Sequence, residues 1–283
     1  IAASIQNVTE EIVISLINKI PAEKYDYNLC LAGGVALNSV INGMITSKTK
    51  FKNVYIQPSA GDGGGALGAA LSFMIDAKSI KRDFIMDHAF WGPEFNNKEI
   101  KQALKKSDFK YTYYKKKVDI QNKIVSDILE NKVIGLFQNK MEWGPRALGN
   151  RSIIANPTIF EMKDIVNAKI KFREPYRPFA PSVLEDKIED IFVTKHEKLP
   201  GPNDFMLNVV KVKSKYENKI PAVSHMGTAR IQSVRKQNTD YYNLIKKFYD
   251  ITGIPLLLNT SFNIKGEPIV CTPSDALNTF SKR

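Results

Sequence analysis

Twice in the first 75 residues a short apolar run ends in a glycine turn and passes into a helical run. The two stretches are "YNLCLAGGVALNSVINGMI" (27–45) and "NVYIQPSAGDGGGALGAALSFMI" (53–75). Strand, glycine turn and helix, repeated in that order, restrict the chain to α/β organisation. Upstream, Ile12, Val13, Leu16, Ile17 and Ile20 recur at three- and four-residue spacing, which predicts one apolar helix face stopped by Pro21. Residues 78–97 break the pattern and read as a linker. Beyond them the sequence predicts helix 97–106, a strand near 110–115, helix 120–131 and strand 133–138. Irregular arginine-rich segments follow, with a short helix at 161–169. Strands at 205–213, 228–234 and 255–259, helix 239–251 and a helix from Pro273 complete the expectation. The 283 residues suffice for two domains of ordinary size.

No apolar run approaches the roughly 18–20 residues that cross a bilayer, and no signal segment opens the chain. Cys30 and Cys271 lie in separate apolar runs and read as buried free thiols, which fits a reducing cytosol. His88, His196 and His225 are too few to build a metal cage alone. The +12 charge is mostly diffuse lysine and calls for an anionic partner or only for solubility. Arginine is more informative, because its planar fork holds phosphate or carboxylate at two points. The arginines cluster as Arg146 with Arg151, Arg173 with Arg177, and Arg230 with Arg235.

Gly33 and Gly34 fall between a strand and a helix, where exposed amides suit an anion. The same glycines also serve tight turns and close packing. In the second glycine turn, Asp62 is a candidate ligand for a divalent cation or for a nucleotide's hydroxyls. In "MEWGPRALGNRS" (141–152), Pro145 predicts a short helix with Arg146 in its first turn, Arg151 at a strand edge, and Glu142 orienting one guanidinium. "KFREPYRPFAPS" (171–182) carries Lys171, Arg173 and Arg177 among three prolines, so its side chains are expected on an extended, rigid path. A solvated face needs no such rigidity. Preorganised cations suit a phosphoryl or acyl-phosphate centre, although Phe172, Tyr176 and Phe179 leave nucleic-acid stacking open. "GTAR" (227–230) and "LLNTSFN" (257–263) add Arg230, Thr260, Ser261 and Asn263.

Together these stretches resemble the carbamoyltransferase family of nodulation-factor and antibiotic O-carbamoyltransferases. The longest matching runs are "CLAGGVALNSVINGMI", "VYIQPSAGDGGGALGAAL", "MEWGPRALGNRSIIANP", "VNAKIKFREPYRPFAPSVL" and "TGIPLLLNTSFNIKGEPIVCTPSDAL". The resemblance implies an α/β chain with part of an actin/hexokinase-like ATPase domain over 1–88 and a YrdC-like domain over 98–283. It implies a carbamoyl-adenylate made from carbamoyl phosphate and ATP, then moved to the hydroxyl of a small acceptor, a sugar or natural-product scaffold. By motif, Arg146, Lys171, Arg177 and Arg230 would bind carbamoyl phosphate and the nucleotide phosphates, with Ser261 completing the site. Gly33, Gly34 and Asn38, with Gly63 and Gly64 of the second turn, would line a nucleotide pocket. Asp62 would be one ligand of a divalent iron or magnesium ion.

The family's transfer domain begins before this chain does, and the last helix has no stop, so both ends read as cut from something longer. Transfer would then be incomplete in this chain, while adenylation would survive. The expected location is the cytoplasm, without a membrane. Two rivals stand beside this reading: a basic nucleic-acid-binding YrdC-like module without carbamoyl chemistry, and an ATP phosphotransferase of the sugar-kinase type. The kinase would leave the arginine motifs of 146–177 unexplained, and nucleic acid is the weaker partner because a diffuse lysine surface is usually only a solvated one.

Overall fold

The computed structural model describes residues 1–81, 84–194 and 200–282. The chain divides into two compact units, Ile1–Ala89 with Glu197–Val209, and Phe90–His196 with Val210–Arg283. Among the described residues, no helix is long and apolar enough to cross a membrane.

In the first unit, helix α1 (Ala2–Asn18) precedes strand β1 (Asn28–Leu31), helix α2 (Ser39–Lys48), strand β2 (Asn53–Ile56) and helix α3 (Asp62–Lys78). β1 and β2 are parallel, in register from Asn28↔Asn53 to Leu31↔Ile56. Ile17, Ala22, Leu29, Ile45 and Phe51 form a small core, with Val13 and Ile14 packed on it. The buried stripe of α1 is therefore centred on Val13 and Ile17, and Ile12 and Leu16 stay more than half exposed. A two-stranded sheet covers only one side of that helix. Strand alternation likewise corrects the thiol expectation: Leu29 turns into the core, so Cys30 turns out and is exposed, and Cys271 is half-buried.

The second unit is built on a mixed sheet. Its strands are β3 (Ile134–Phe137), β4 (Arg151–Ala155), β5 (Ala180–Leu184), β6 (Phe192–Val193), β7 (Asn208–Val212), β8 (Thr228–Val234) and β9 (Leu256–Ser261). Their order is β3-β4-β9-β5-β8-β7-β6. β4–β9 and β9–β5 are antiparallel and β5–β8 is parallel. The helices are α4 (Asn97–Lys105), α5 (Lys117–Leu129), α6 (Met162–Val166), α7 (Ile188–Ile191), α8 (Ser214–Glu217), α9 (Thr239–Thr252) and α10 (Pro273–Ser281).

Both faces of the central strands are covered. On one, Val183, Ile231 and Leu256 pack with Val125 and Ile128 of α5 and with Leu244, Ile245 and Phe248 of α9. On the other, Ile153 meets Phe262, Val270 and Ala276 of α10. Buried side chains thus occupy every position of β4 and β5. The residues near 110–115 form no strand; Tyr111 and Tyr113 are exposed, and Lys101 stacks on Tyr113. Nor do 171–182 form one extended path. α6 continues as a wider helical turn through Lys171, Phe172 adopts the left-handed conformation at φ 46° and ψ 51°, and β5 starts only at Ala180.

Candidate functional site

Residues 141–150, where a short helix was expected, form a loop between β3 and β4. Glu142 is buried in this loop and binds backbone amides, not the guanidinium of Arg151. Its Oε1 accepts the amides of Leu148 (2.7 Å), Asn150 (2.8 Å) and Arg151 (3.2 Å). From the sheet below, Asn259 Nδ2 donates to the Ala147 carbonyl at 3.1 Å and Gln232 Nε2 to that of Leu148 at 2.8 Å. Ser182 Oγ donates to Gln232 Oε1 and accepts from Asn259 Nδ2, so neighbouring β5, β8 and β9 support the loop as one unit. At Gly149 φ is +112°, and an added Cβ would stand 2.3 Å from the Tyr241 ring, so only glycine passes there.

This loop sends its two arginines to different tasks. Arg151 is fully buried: Nη1 donates to the carbonyls of Gln138, Asn139 and Asn150, Nη2 donates to that of Pro93, and the guanidinium lies 3.7 Å from the Phe137 ring centre. It holds structure. Arg146 instead joins a cluster of like charge. On β8, burial and the charges of Arg146 and Arg173 push the Arg230 guanidinium down to about 9, and its buried Nε has no hydrogen-bond partner. Burial also lowers Arg146. Arg173 is lowered by burial and by Arg177, with Glu174 partly offsetting them.

Arg173 is aimed by its surroundings. Its Nε donates to Asn167 Oδ1 at 2.7 Å and its guanidinium stacks on Phe179 at 4.7 Å. Asn167 in turn donates to the Arg177 carbonyl at 3.0 Å. Phe172, a bulky residue at positive φ, turns the chain so that Lys171 and Arg173 leave it in different directions. Arg177 is exposed and ion-paired with Glu174 at 2.9 Å, on the rim beside Arg173. Partly desolvated guanidiniums repel one another and lose hydration; a bound anion relieves both costs.

Lys171 and Ser261 are also brought together, but they bind each other. Buried Lys171 Nζ donates to Ser261 O (2.6 Å) and Oγ (3.2 Å) and to Asn263 O (3.0 Å) and Oδ1 (2.7 Å). Ser261 Oγ donates to Asn263 Oδ1 at 2.6 Å. The sequence-based site set lacked Arg173. Its signal was its place between Lys171 and Arg177, but the turn at Phe172 was needed to aim it.

In the first unit the glycine turns serve geometry that the residue types already allowed. The Gly33 amide donates to the Ala60 carbonyl at 2.7 Å, and Gly34–Leu37 forms a tight 3-10 turn, so neither glycine opens a helix. Asn38 caps α2 by accepting from the Ile41 amide, and its Nδ2 donates to Gln6 at 2.9 Å. Gly64 passes so near Ser59 that a Cβ would lie 2.1 Å from its carbonyl oxygen; Gly63 would meet Ser59 Oγ at 3.0 Å. Asp62 is exposed in the first turn of α3. No three His, Cys, Asp or Glu side chains converge on a metal position among the described residues, at Asp62 or elsewhere. His88 Nε2 lies 3.8 Å from Asp87, the His225 backbone pairs with Thr228, and His196 lies outside the described residues.

The second unit is thus an α/β fold whose mixed sheet carries clustered arginines and a buried, unsatisfied Nε on Arg230. Family comparison makes this specific. The model described as "Carbamoyltransferase C-terminus" matches residues 125–283, and "Carbamoyltransferase N-terminus" matches residues 1–71. The chain belongs to the carbamoyltransferase family. It is 42% identical to an uncharacterized protein of Synechocystis sp., over all of this chain and 49% of that protein. It is 39% identical to the nodulation protein NolO of Bradyrhizobium diazoefficiens, over 99% of this chain and 51% of that one. The chain thus spans about half the length of these curated relatives. A crystal structure of full-length HypF, in a phosphate- and nucleotide-bound form, superposes on 61% of this chain and 20% of its own with a TM-score of 0.40 and 14% identity.

Proposed function

We propose that residues 98–283 form a YrdC-like carbamoyl-adenylating domain, and that residues 1–88 are the last part of an actin-like domain that passes the carbamoyl group to a small acceptor's hydroxyl. One observation carries the proposal: Arg146 and Arg173 both act on Arg230, which burial and these charges drive down to about 9 and which keeps an unsatisfied buried Nε. Such a cluster is costly empty and favourable around phosphate oxygens.

ATP and carbamoyl phosphate are the co-substrates that fit it. Hydrolysis of carbamoyl phosphate gives carbamate and phosphate. A carbamate oxygen then bonds to the α-phosphorus of ATP as the α–β bridging bond breaks, and pyrophosphate leaves with the electron pair. Arg146, Arg173 and Arg230 supply fixed positive charge where negative charge builds, with little reorganisation. Arg177, exposed beside them, exchanges Glu174 for substrate phosphate. Lys171 holds the end of β9 so that Ser261 borders the site. Asp62 would supply one carboxylate to a divalent iron or magnesium ion, which would need further ligands, since no group of three His, Cys, Asp or Glu converges among the described residues. The acceptor is a sugar or natural-product hydroxyl, and its transfer belongs to the complete protein.

Pyrophosphate release from ATP, followed with and without carbamoyl phosphate, tests the proposal. Release that requires carbamoyl phosphate supports it. A folded chain that releases none, or releases as much without carbamoyl phosphate, overturns it.

A further inference from the structure

Glu142 is a buried carboxylate that the proposed chemistry leaves without a task. It is 4% exposed, and its two oxygens are used very unequally. Oε1 gathers three backbone amides, from Leu148, Asn150 and Arg151. Oε2 is equally buried and has no hydrogen-bond partner. Converging amides make a nest for one anionic oxygen, and here the protein supplies that oxygen itself. Burial raises the Glu142 carboxyl above the usual carboxylate range, and the same amides offset only part of that rise.

The charges of Arg146 and Arg173 act on Arg230, and that of Glu142 acts on Arg151. The hydrogen bonds of Glu142 lead toward the cluster through the backbone. The amides it holds begin two residues after Arg146, and the carbonyls of Ala147 and Leu148 are pinned between them by Asn259 and Gln232. Holding Arg146 close to Arg230 works against their mutual repulsion, and a loop without regular hydrogen bonding would relax away from it.

We propose that Glu142 is a positioning residue: through Oε1 it fixes the loop that keeps Arg146 beside Arg230, and so sets the affinity of the cluster for phosphate groups. The inference rests on reading the cluster as an anion site, and its test separates the two. Inorganic pyrophosphate is titrated calorimetrically into the full chain and into Glu142→Gln, Glu142→Leu, Glu142→Asp, Arg146→Met and the Glu142→Leu/Arg146→Met double variant. Gln keeps an oxygen at the Oε1 position and binds within about threefold of the parent. Leu removes that oxygen and Asp withdraws it, and each weakens binding by about tenfold or more. The double variant binds no more weakly than Arg146→Met within about twofold, since Glu142 acts through Arg146. A merely structural carboxylate would give additive losses instead.

Parent-like binding by Glu142→Leu, or additive losses in the double variant, overturns the proposal while Arg146→Met still loses affinity. If Glu142→Leu does not fold, Glu142→Asp decides alone, and parent-like binding overturns it. Parent-like binding by Arg146→Met overturns the anion-site reading itself and this inference with it.

Discussion

Replacing Arg230 with methionine should stabilise the ligand-free protein while abolishing its affinity for phosphate. Burial, with the charges of Arg146 and Arg173, drives the Arg230 guanidinium from its ordinary range down to about 9, a difference on the order of 5 kcal/mol between its charged and neutral forms. Relaxation and water penetration reduce what a substitution recovers, and methionine also removes the unsatisfied buried Nε. A gain of about 2 kcal/mol remains, which raises the melting midpoint by roughly 4–8 °C for a unit of this size. The pH dependence has a definite sign. Above about 9 and below the ordinary guanidinium range, the unfolded chain holds a proton on Arg230 that the folded chain has released, so parent stability rises with pH across that window. Below about 9 the penalty is fully present. Arg230→Met removes the rise, and parent affinity for pyrophosphate falls as pH passes about 9. Thermal melts from pH 7 to 10, paired with pyrophosphate titrations, read both effects. A variant that melts below the parent at pH 7, or still binds pyrophosphate as the parent does, refutes the reasoning.

Arg177→Ala should keep the fold and lose pyrophosphate release, because its pair with Glu174 is exposed and such pairs contribute about 0–1 kcal/mol; melting shows an unchanged midpoint and the release assay shows the loss. Arg151→Met should destabilise by about 3 kcal/mol or more, since four buried carbonyl contacts lose their donor; denaturant unfolding measures it. Gly149→Ala should cost about 2 kcal/mol or more through its positive φ and the Tyr241 ring, with pyrophosphate affinity falling as the Arg146 loop shifts. Unfolding and titration on the same variant check both.

Much of the fold was legible because local signals agreed with one another. Asn96 and Glu99 form a capping box at the start of α4, and Thr272, Pro273 and Asp275 mark α10. β5 was not legible. Pro178 and Pro181 argue against a central strand, and burial on both faces erases the alternation that reveals one. Its pairing with β8 begins only at Ser182, beyond the proline. The opposite error at 110–115 has the opposite cause: tyrosines give β propensity, but a strand needs a ladder partner, and partners are non-local. In the second unit, arginine clustering identified segments that the fold brings together. Their individual directions depended on a left-handed Phe172 and on a glutamate that binds backbone rather than guanidinium. Neither follows from residue types at a spacing.

The central claim is that the second unit joins a carbamoyl group to AMP. The most direct measurement is mass spectrometry of the nucleotides formed when the chain is mixed with ATP and carbamoyl phosphate, alongside Arg230→Met. The account expects carbamoyl-adenylate, or AMP from its hydrolysis, matched by pyrophosphate and absent from the variant. ADP as the product would indicate phosphoryl transfer to another acceptor, and unchanged ATP with a folded protein would mean no adenylation; either contradicts the account.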